Sequence, residues 1–369
     1  MRKKILIILI PSLMSFSVMV AQLELIHYDD PVVTVQDYPW PNPWAGGMNS
    51  PQFSEMDLNR DGVMDLVVFE RNFYGTVKTF VKGYKGEWYG YIHSPIHQQG
   101  FPEMRNWMLM RDYNCDGKED IFTSVPGGIA VYRNDRAWNT GMEFTLVSPL
   151  LLTDGINGAE PLYVATTDIP AITDVDGDGD LDILSFNLIG STVEYHKNLS
   201  VENHGNCDFL EFELRNACWG FFSEDGNNNT VSLYDTCDVN VTDPEKSDRH
   251  AGSSLLAIDL TGNGAKDLVL GDITYNNLVA LTNGGTSTGS IMVDQDTAFP
   301  ANTAPADITV FPALYEVDVN DDGAKDLLVA PNNPNTSENY GQVWHYQREK
   351  NVSPAQYTFM KSGYLVDDM

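Results

Sequence analysis

Short apolar runs followed by alternating ones recur along this chain. Leu66-Val-Val-Phe69, Ile121-Phe-Thr123, Ile183-Leu-Ser-Phe186, Leu268-Val-Leu270 and Leu327-Leu-Val329 are bounded by turn residues, a pattern that predicts buried strands. A Gly/Asn/Pro-rich turn follows, as at Val125-Pro-Gly-Gly128 and Tyr275-Asn-Asn277. Then comes a returning strand: Val77-Lys-Thr-Phe80, Ile129-Ala-Val-Tyr132, Val193-Glu-Tyr195, Leu278-Val-Ala-Leu281 and Val343-Trp-His-Tyr346. No segment sustains a 3.6-residue apolar stripe with caps, so helix content is expected to be small. Aromatic residues at 11% suit sheet packed on sheet.

Each buried run is preceded by an acidic nonapeptide of one design: Asp57–Asp65, Asp112–Asp120, Asp174–Asp182, Asp259–Asp267 and Asp318–Asp326. Oxygen-bearing side chains fill positions 1, 3, 5 and 9, and Gly holds position 6. In a tightly curled loop alternate side chains converge inward, and Ca2+ takes six to eight oxygens at about 2.3–2.6 Å. Mg2+ fits less well, because it demands octahedral geometry and keeps its waters. The glycine permits a reversal that a Cβ resists. The expected ligands are therefore Asp57, Asn59, Asp61 and Asp65; Asp112, Asn114, Asp116 and Asp120; Asp174, Asp176, Asp178 and Asp182; Asp259, Thr261, Asn263 and Asp267; and Asp318, Asn320, Asp322 and Asp326. A backbone carbonyl at position 7 is the expected addition, from Val63, Lys118, Asp180, Ala265 and Ala324. Up to five Ca2+ ions follow. The fourth loop is expected to be weakest, since Thr261 and Asn263 leave it two carboxylates.

An EF-hand shares positions 1, 3, 5 and 6 but needs a bidentate Glu at position 12 and flanking helices. Position 12 here is Val68, Thr123, Ser185, Leu270 and Val329. None of these can close an EF-hand site.

Loop starts at 57, 112, 174, 259 and 318 give periods of propeller-blade size. An all-β array of four-stranded units curls into a propeller to protect its edges, whereas the repeats of a β-solenoid are shorter and more uniform. The longest interval holds an insertion at about 198–249, which contains Cys207, Cys218 and Cys237. Insertions in repeat proteins gather on one face, often the binding face.

Arg2, Lys3 and Lys4 precede an apolar stretch from Ile5 to about Val20, ending at Ala21-Gln22, the form of a cleaved signal peptide over 1–21. Export to the cell surface or beyond follows, with no membrane insertion after cleavage. Losing those three positive charges takes the net charge from −30 to −33, which excludes nucleic acid as a partner, since that needs a basic footprint. The loop side chains alone hold fifteen carboxylates. Such closeness, costing about 1–4 kcal/mol per pair near 4 Å at intermediate dielectric, is tolerated when a cation sits between them. Four cysteines in an exported chain permit disulfides. Cys218–Cys237 is the expected staple of the insertion, and the partner of Cys115, at position 4 of the second loop, is left open.

The D-x-[DN]-x-D-G-x-x-D-[LI] loop in its strand–loop–strand setting, repeated over most of Trp44–Tyr346, resembles the FG-GAP/VCBS repeat proteins. Their fold is similar to the integrin α-subunit N-terminal β-propeller. With the signal peptide, Asp112–Asp120 and His250-Ala-Gly-Ser-Ser254, the chain resembles exported members from Bacteroidetes. The resemblance implies an all-β, calcium-bearing propeller, seven blades in the best-known cases, and no catalytic residue. The expected layout is a lead strand region at 22–43 and a propeller from 44 to 369. Against seven blades, five loops imply either an N-terminal piece of a longer propeller or closure by atypical blades from 22–56.

Two catalytic decoys fail on context. Gly285-Thr-Ser287-Thr-Gly289 has the letters of a nucleophile elbow but lies before a strand, Ile291-Met-Val293, not a helix. His93 and His97 have helical spacing, but Pro95 between them breaks the helix that would align them. The expected function is a non-catalytic binding or adhesion module for an extracellular glycan or protein. The alternatives are an architectural domain of a larger secreted protein and the non-catalytic part of a polysaccharide-degrading enzyme.

Overall fold

The computed structural model describes residues 32–35, 37–71, 75–137, 141–188, 190–224, 229–237, 253–338 and 340–369. The expected signal peptide, His250 and part of the insertion lie outside them. Five antiparallel blades run in chain order, at 51–93, 105–148, 171–216, 253–296 and 312–362, each starting with its innermost strand and stepping outward. The inner strands are Pro51–Met56, Arg105–Arg111, Ala171–Thr173, Ser253–Ile258 and Pro312–Val317. Every acidic loop is the hairpin between a blade's first and second strands, so all five loops crowd one face.

Hydrogen bonds between neighbouring blades trace the ring. Met110 N–H donates to Ser54 Oγ at 3.1 Å between the first and second blades. Arg111 Nε donates to the Ile172 carbonyl at 3.2 Å between the second and third. Leu255 N–H reaches the Ile169 carbonyl at 2.9 Å between the third and fourth, and Ser254 Oγ the Pro312 carbonyl at 2.9 Å between the fourth and fifth. Asp318 N–H donates to Glu55 Oε1 at 3.0 Å, joining the fifth blade to the first. Five blades therefore close the ring, which corrects the seven that the resemblance implies. Each blade is complete in its own stretch of chain. The described residues of 22–56 do not supply an extra blade: Thr34–Val35 and Tyr38–Pro39 form a small hairpin, and Pro51–Met56 is the first blade's inner strand.

The core lies between blades. Trp107, Phe122, Leu328 and Phe53 are fully buried in one cluster, and Leu268, Leu281, Phe222 and Met292 in another. Packing is close enough that a Cβ at Gly271 would meet the Pro312 carbonyl oxygen at 1.8 Å. On the face away from the loops, Arg71 spans the axis: its guanidinium donates to the carbonyls of Thr166 (2.8 Å) and Thr167 (3.1 Å) and to Asn332 Oδ1 (2.8 Å).

The insertion is smaller than the spacing suggested. Phe212–Asn216 is the fourth strand of the third blade, and a hairpin at Leu152–Gly155 and Gly158–Pro161 pairs along its outer edge. Phe222–Glu224 and Val231–Leu233 form a separate hairpin that reaches the fourth blade, where Val231 N–H donates to Gln295 Oε1.

Candidate functional site in the acidic loops

The loops are built from Asx turns that use the predicted positions in a fixed way. Position 1 curls the loop around itself: in the first, Asp57 accepts from the N–H groups of Arg60 (2.6 Å) and Gly62 (3.0 Å). Asp318 accepts likewise from Asp322 and Gly323. Position 3 accepts from position 5, as Asn114 does from Asp116 at 3.2 Å. Position 5 accepts from position 7: Asp61 from Val63, Asp116 from Lys118, Asp178 from Asp180, Asn263 from Ala265 and Asp322 from Ala324. Gly62, Gly117, Gly179, Gly264 and Gly323 all have positive φ, which explains the invariant position 6.

Position 9 does something that spacing alone did not reveal. Asp65, Asp120, Asp182, Asp267 and Asp326 are fully buried. One oxygen of each accepts from the N–H at position 2, namely Leu58, Tyr113, Val175, Leu260 and Val319. The other accepts from the third strand, at Lys82, Asn134, Asn198, Asn283 and Arg348. Each is thus a bracket that pins its loop to its blade. Burial pushes Asp65 up to about 6, Asp120 to about 7 and Asp182 to about 8, against the pull of those N–H donors.

Position 4 points out of the loop toward the next blade. Arg60 donates to the carbonyls of Arg136 and Ala137. Cys115 is disulfide-bonded to Cys207, which supplies the missing partner, and its Sγ also lies near the Gly179 carbonyl of the third loop. Asp321 pairs with Lys82. At Gly262 the contact comes from the other side, Ser353 Oγ donating to the Thr261 carbonyl at 3.0 Å. The expected Cys218–Cys237 bridge is present.

Among the described residues, the third loop alone gathers three carboxylates within reach of one ion. Ligand oxygens of Asp174, Asp176 and Asp182 lie within 4.8 Å of one another, and Asp176, Asp178 and Glu202 form a second such group. Asp176 Oδ1 is buried without a hydrogen-bond partner, as an atom reserved for a cation would be. This group could hold a metal ion, and its all-oxygen donor set suits Ca2+. Elsewhere position 5 is turned to other partners: Asp61 and Asp322 accept from Asn59 and Asn320, and Asp116 from Lys118. In the fourth loop Asn263 spends its amide on the Asn283 carbonyl, leaving Asp259 and Asp267 as its only carboxylates, as the sequence indicates. Glu202 and Lys197, both missed in the sequence, complete the third site and are taken up below.

The loops encircle a second feature. A cavity of ≈ 240 Å³ opens at the axis, with Glu55, Arg111, Tyr315, Glu119, Glu316 and Lys325 in its wall. Glu55 and Glu316 sit two residues ahead of their loops, and Glu119 and Lys325 at loop position 8. Arg111 is fixed by the carbonyls of Ile172 and Met110, and Lys325 pairs with Glu55. The Tyr315 hydroxyl is buried with no hydrogen-bond partner among the described residues.

The decoys stay decoys. Gly285–Gly289 is a tight turn closed by Thr286 and Gly289. His97 Nδ1 meets Ser94 Oγ at 2.9 Å, while His93 Nε2 meets Gln98 at 3.1 Å, so the two rings serve separate partners.

Residues 112–185 match the family model of the FG-GAP-like repeat. A search of curated proteins finds no match. Among solved structures, an Agrocybe aegerita lectin described by its specific recognition of non-reducing terminal N-acetylglucosamine is similar at 16% identity and TM-score 0.36, over 85% of this chain and 66% of the lectin. The V. cholerae biofilm matrix protein Bap1 is similar at 14% identity and TM-score 0.28, over 78% of this chain and 36% of Bap1. A putative oxidoreductase (glucose dehydrogenase) from Thermus thermophilus gives 14% and 0.32, over 79% and 93%. The chain thus spans just under two thirds of the lectin and about a third of Bap1. The chain is a five-bladed β-propeller, and its residues 112–185 form an FG-GAP-like repeat.

Proposed function

We propose that this is an exported, non-catalytic binding module whose acidic loops take up Ca2+, and that it engages an extracellular glycan or protein at the axial cavity on the loop face. The cavity carries the reading, since residues of all five blades line it. Its charges are of both signs, and the carboxylates of Glu119 and Glu316 and Nη2 of Arg111 make no hydrogen bond among the described residues. Such groups, partly desolvated and unspent, suit a ligand that both donates and accepts hydrogen bonds. Calcium would act by stiffening the loops that form the rim. Export is supported by the leader-like first 21 residues, by two disulfides, which persist in oxidising compartments, and by the acidic balance. No described helix is long and apolar enough to cross a membrane.

The test presents labelled protein, residues 22–369, to arrays of glycans and of extracellular proteins, with calcium and with chelator. Saturable, calcium-dependent binding that Glu316→Gln and Arg111→Met abolish is the expected result. Binding that both variants retain would move the ligand off the axis. Absence of binding to either array would overturn the module reading.

A further inference from the structure

Among the described residues, the third loop is the only one with a lysine of its blade's third strand on the carboxylates at both position 3 and position 5. Lys197 Nζ lies 2.9 Å from Asp178 Oδ2 and also contacts Asp176 Oδ2 and Glu202 Oε1. Glu202 belongs to the short helix Ser200–His204, which is tied to the loop because Asp180 accepts the Val201 N–H at 2.9 Å. The corresponding third-strand positions, each one residue before the amide held by the position-9 bracket, are Val81, Arg133, Thr282 and Gln347. Arg133 turns instead to Asp135. The Asp176 side chain is only 8% exposed. Its Oδ2 is taken by the ammonium, whereas its Oδ1 has no partner, and Asp176 belongs also to the group with Asp174 and Asp182.

We propose that Lys197 is a tethered counter-cation that sets the calcium affinity of the third loop. Its ammonium withdraws Asp178 and one oxygen of Asp176 from the loop ion, leaving Asp176 Oδ1, Asp174 and Asp182 to receive it. A fixed positive charge a few ångströms from a divalent ion repels it. The loop richest in carboxylates is therefore not the tightest binder, and it is the one best neutralised when no calcium is present. The inference rests on the reading that the loops take up calcium.

The experiment titrates calcium alone into chelator-stripped full-length mature protein by calorimetry, alongside Lys197→Met, Lys197→Arg and the double variant Lys197→Met/Asp174→Asn. Lys197→Met should tighten one site by ~10-fold or more, as removal of a nearby like charge at intermediate dielectric requires. Lys197→Arg, which keeps the charge, should stay within about threefold of the parent, and the double variant should lose the gain. In chelator, Lys197→Met should melt below the parent, yet gain more from added calcium. Unchanged or weaker binding in Lys197→Met, with the parent binding calcium, would overturn the role of the lysine alone. A parent that takes up no calcium would overturn both readings.

Discussion

The ammonium of Lys82, in the first blade, lies 2.5 Å from Asp321 Oδ1 in the fifth, and this pair locks the seam where the ring closes. Lys82 Nζ also donates to the Asp318 carbonyl at 3.2 Å, and Tyr89 donates to Asp321 Oδ2 at 3.0 Å. The lysine side chain is 1% exposed and the aspartate 39%, so the two partners are not equivalent. Removing the carboxylate strands a buried ammonium, while removing the ammonium leaves a carboxylate that water can reach. Asp321→Ala should therefore cost more than Lys82→Met, by about 1–3 kcal/mol on general magnitudes for a buried unpaired group. Urea denaturation of both variants checks the order, and equal costs would mean that the seam is held by apolar packing.

The position-9 brackets give a prediction independent of any ion. Asp267→Ala removes an acceptor shared by the N–H groups of Leu260, Thr261 and Asn283. Leaving such donors buried and unpaired should cost about 2–4 kcal/mol, whereas Asp61→Ala, at an exposed position, should cost under about 1 kcal/mol. The difference should persist in chelator. If chelator erases it, the brackets act only through bound metal.

Much of this was legible in the chain. The oxygen spacing and position-6 glycine located the hairpin loops, and the apolar runs located the second and third strands, because those signals are local. Blade number was equally available, one loop per blade, but the family resemblance pointed to seven. What stayed hidden was whatever depends on a neighbouring strand or blade. That Asp65 and its equivalents also bracket the loop to the blade was hidden, since their second partner lies on the third strand. The partner of Cys115 stayed open, and the contacts of Arg60 and Asp321 stayed hidden, since their partners belong to a neighbouring blade. Lys197 was visible only as an uncommon basic residue on its strand, with nothing in the spacing to aim it at Asp176 and Asp178.

The raised position-9 carboxyls fix a pH dependence. Folded values of about 6, 7 and 8 for Asp65, Asp120 and Asp182 exceed the unfolded value of 3.8. The folded state then holds more protons than the unfolded chain in this window. That contribution to stability is complete below pH 4 and is lost as pH rises through about 6 to 8. Calcium-free protein should accordingly melt at a lower temperature at pH 8 than at pH 5.5. Calcium, which prefers ionised carboxylates, should flatten or reverse that slope. Melting curves across the range, with and without chelator, check both signs.

The two disulfides should differ in weight. Cys115–Cys207 closes 92 residues and ties the second loop to the third blade, whereas Cys218–Cys237 closes 19. On chain-entropy grounds the first contributes about 4–5 kcal/mol and the second about 3 kcal/mol. The paired Cys→Ser variants, compared by denaturation, should rank in that order.

The most direct test of the account as a whole is a calcium titration of the mature chain, followed by melting in calcium and in chelator. Ligand that binds only the native state raises its stability by mass action, each site adding about 2.7 kcal/mol at a hundredfold excess over Kd. The account predicts more than one calcium bound, a melting temperature many degrees higher in calcium, and a gain that shrinks in Asp176→Ala more than in Asn263→Ala. No heat of binding, with superimposable melting curves, would contradict it.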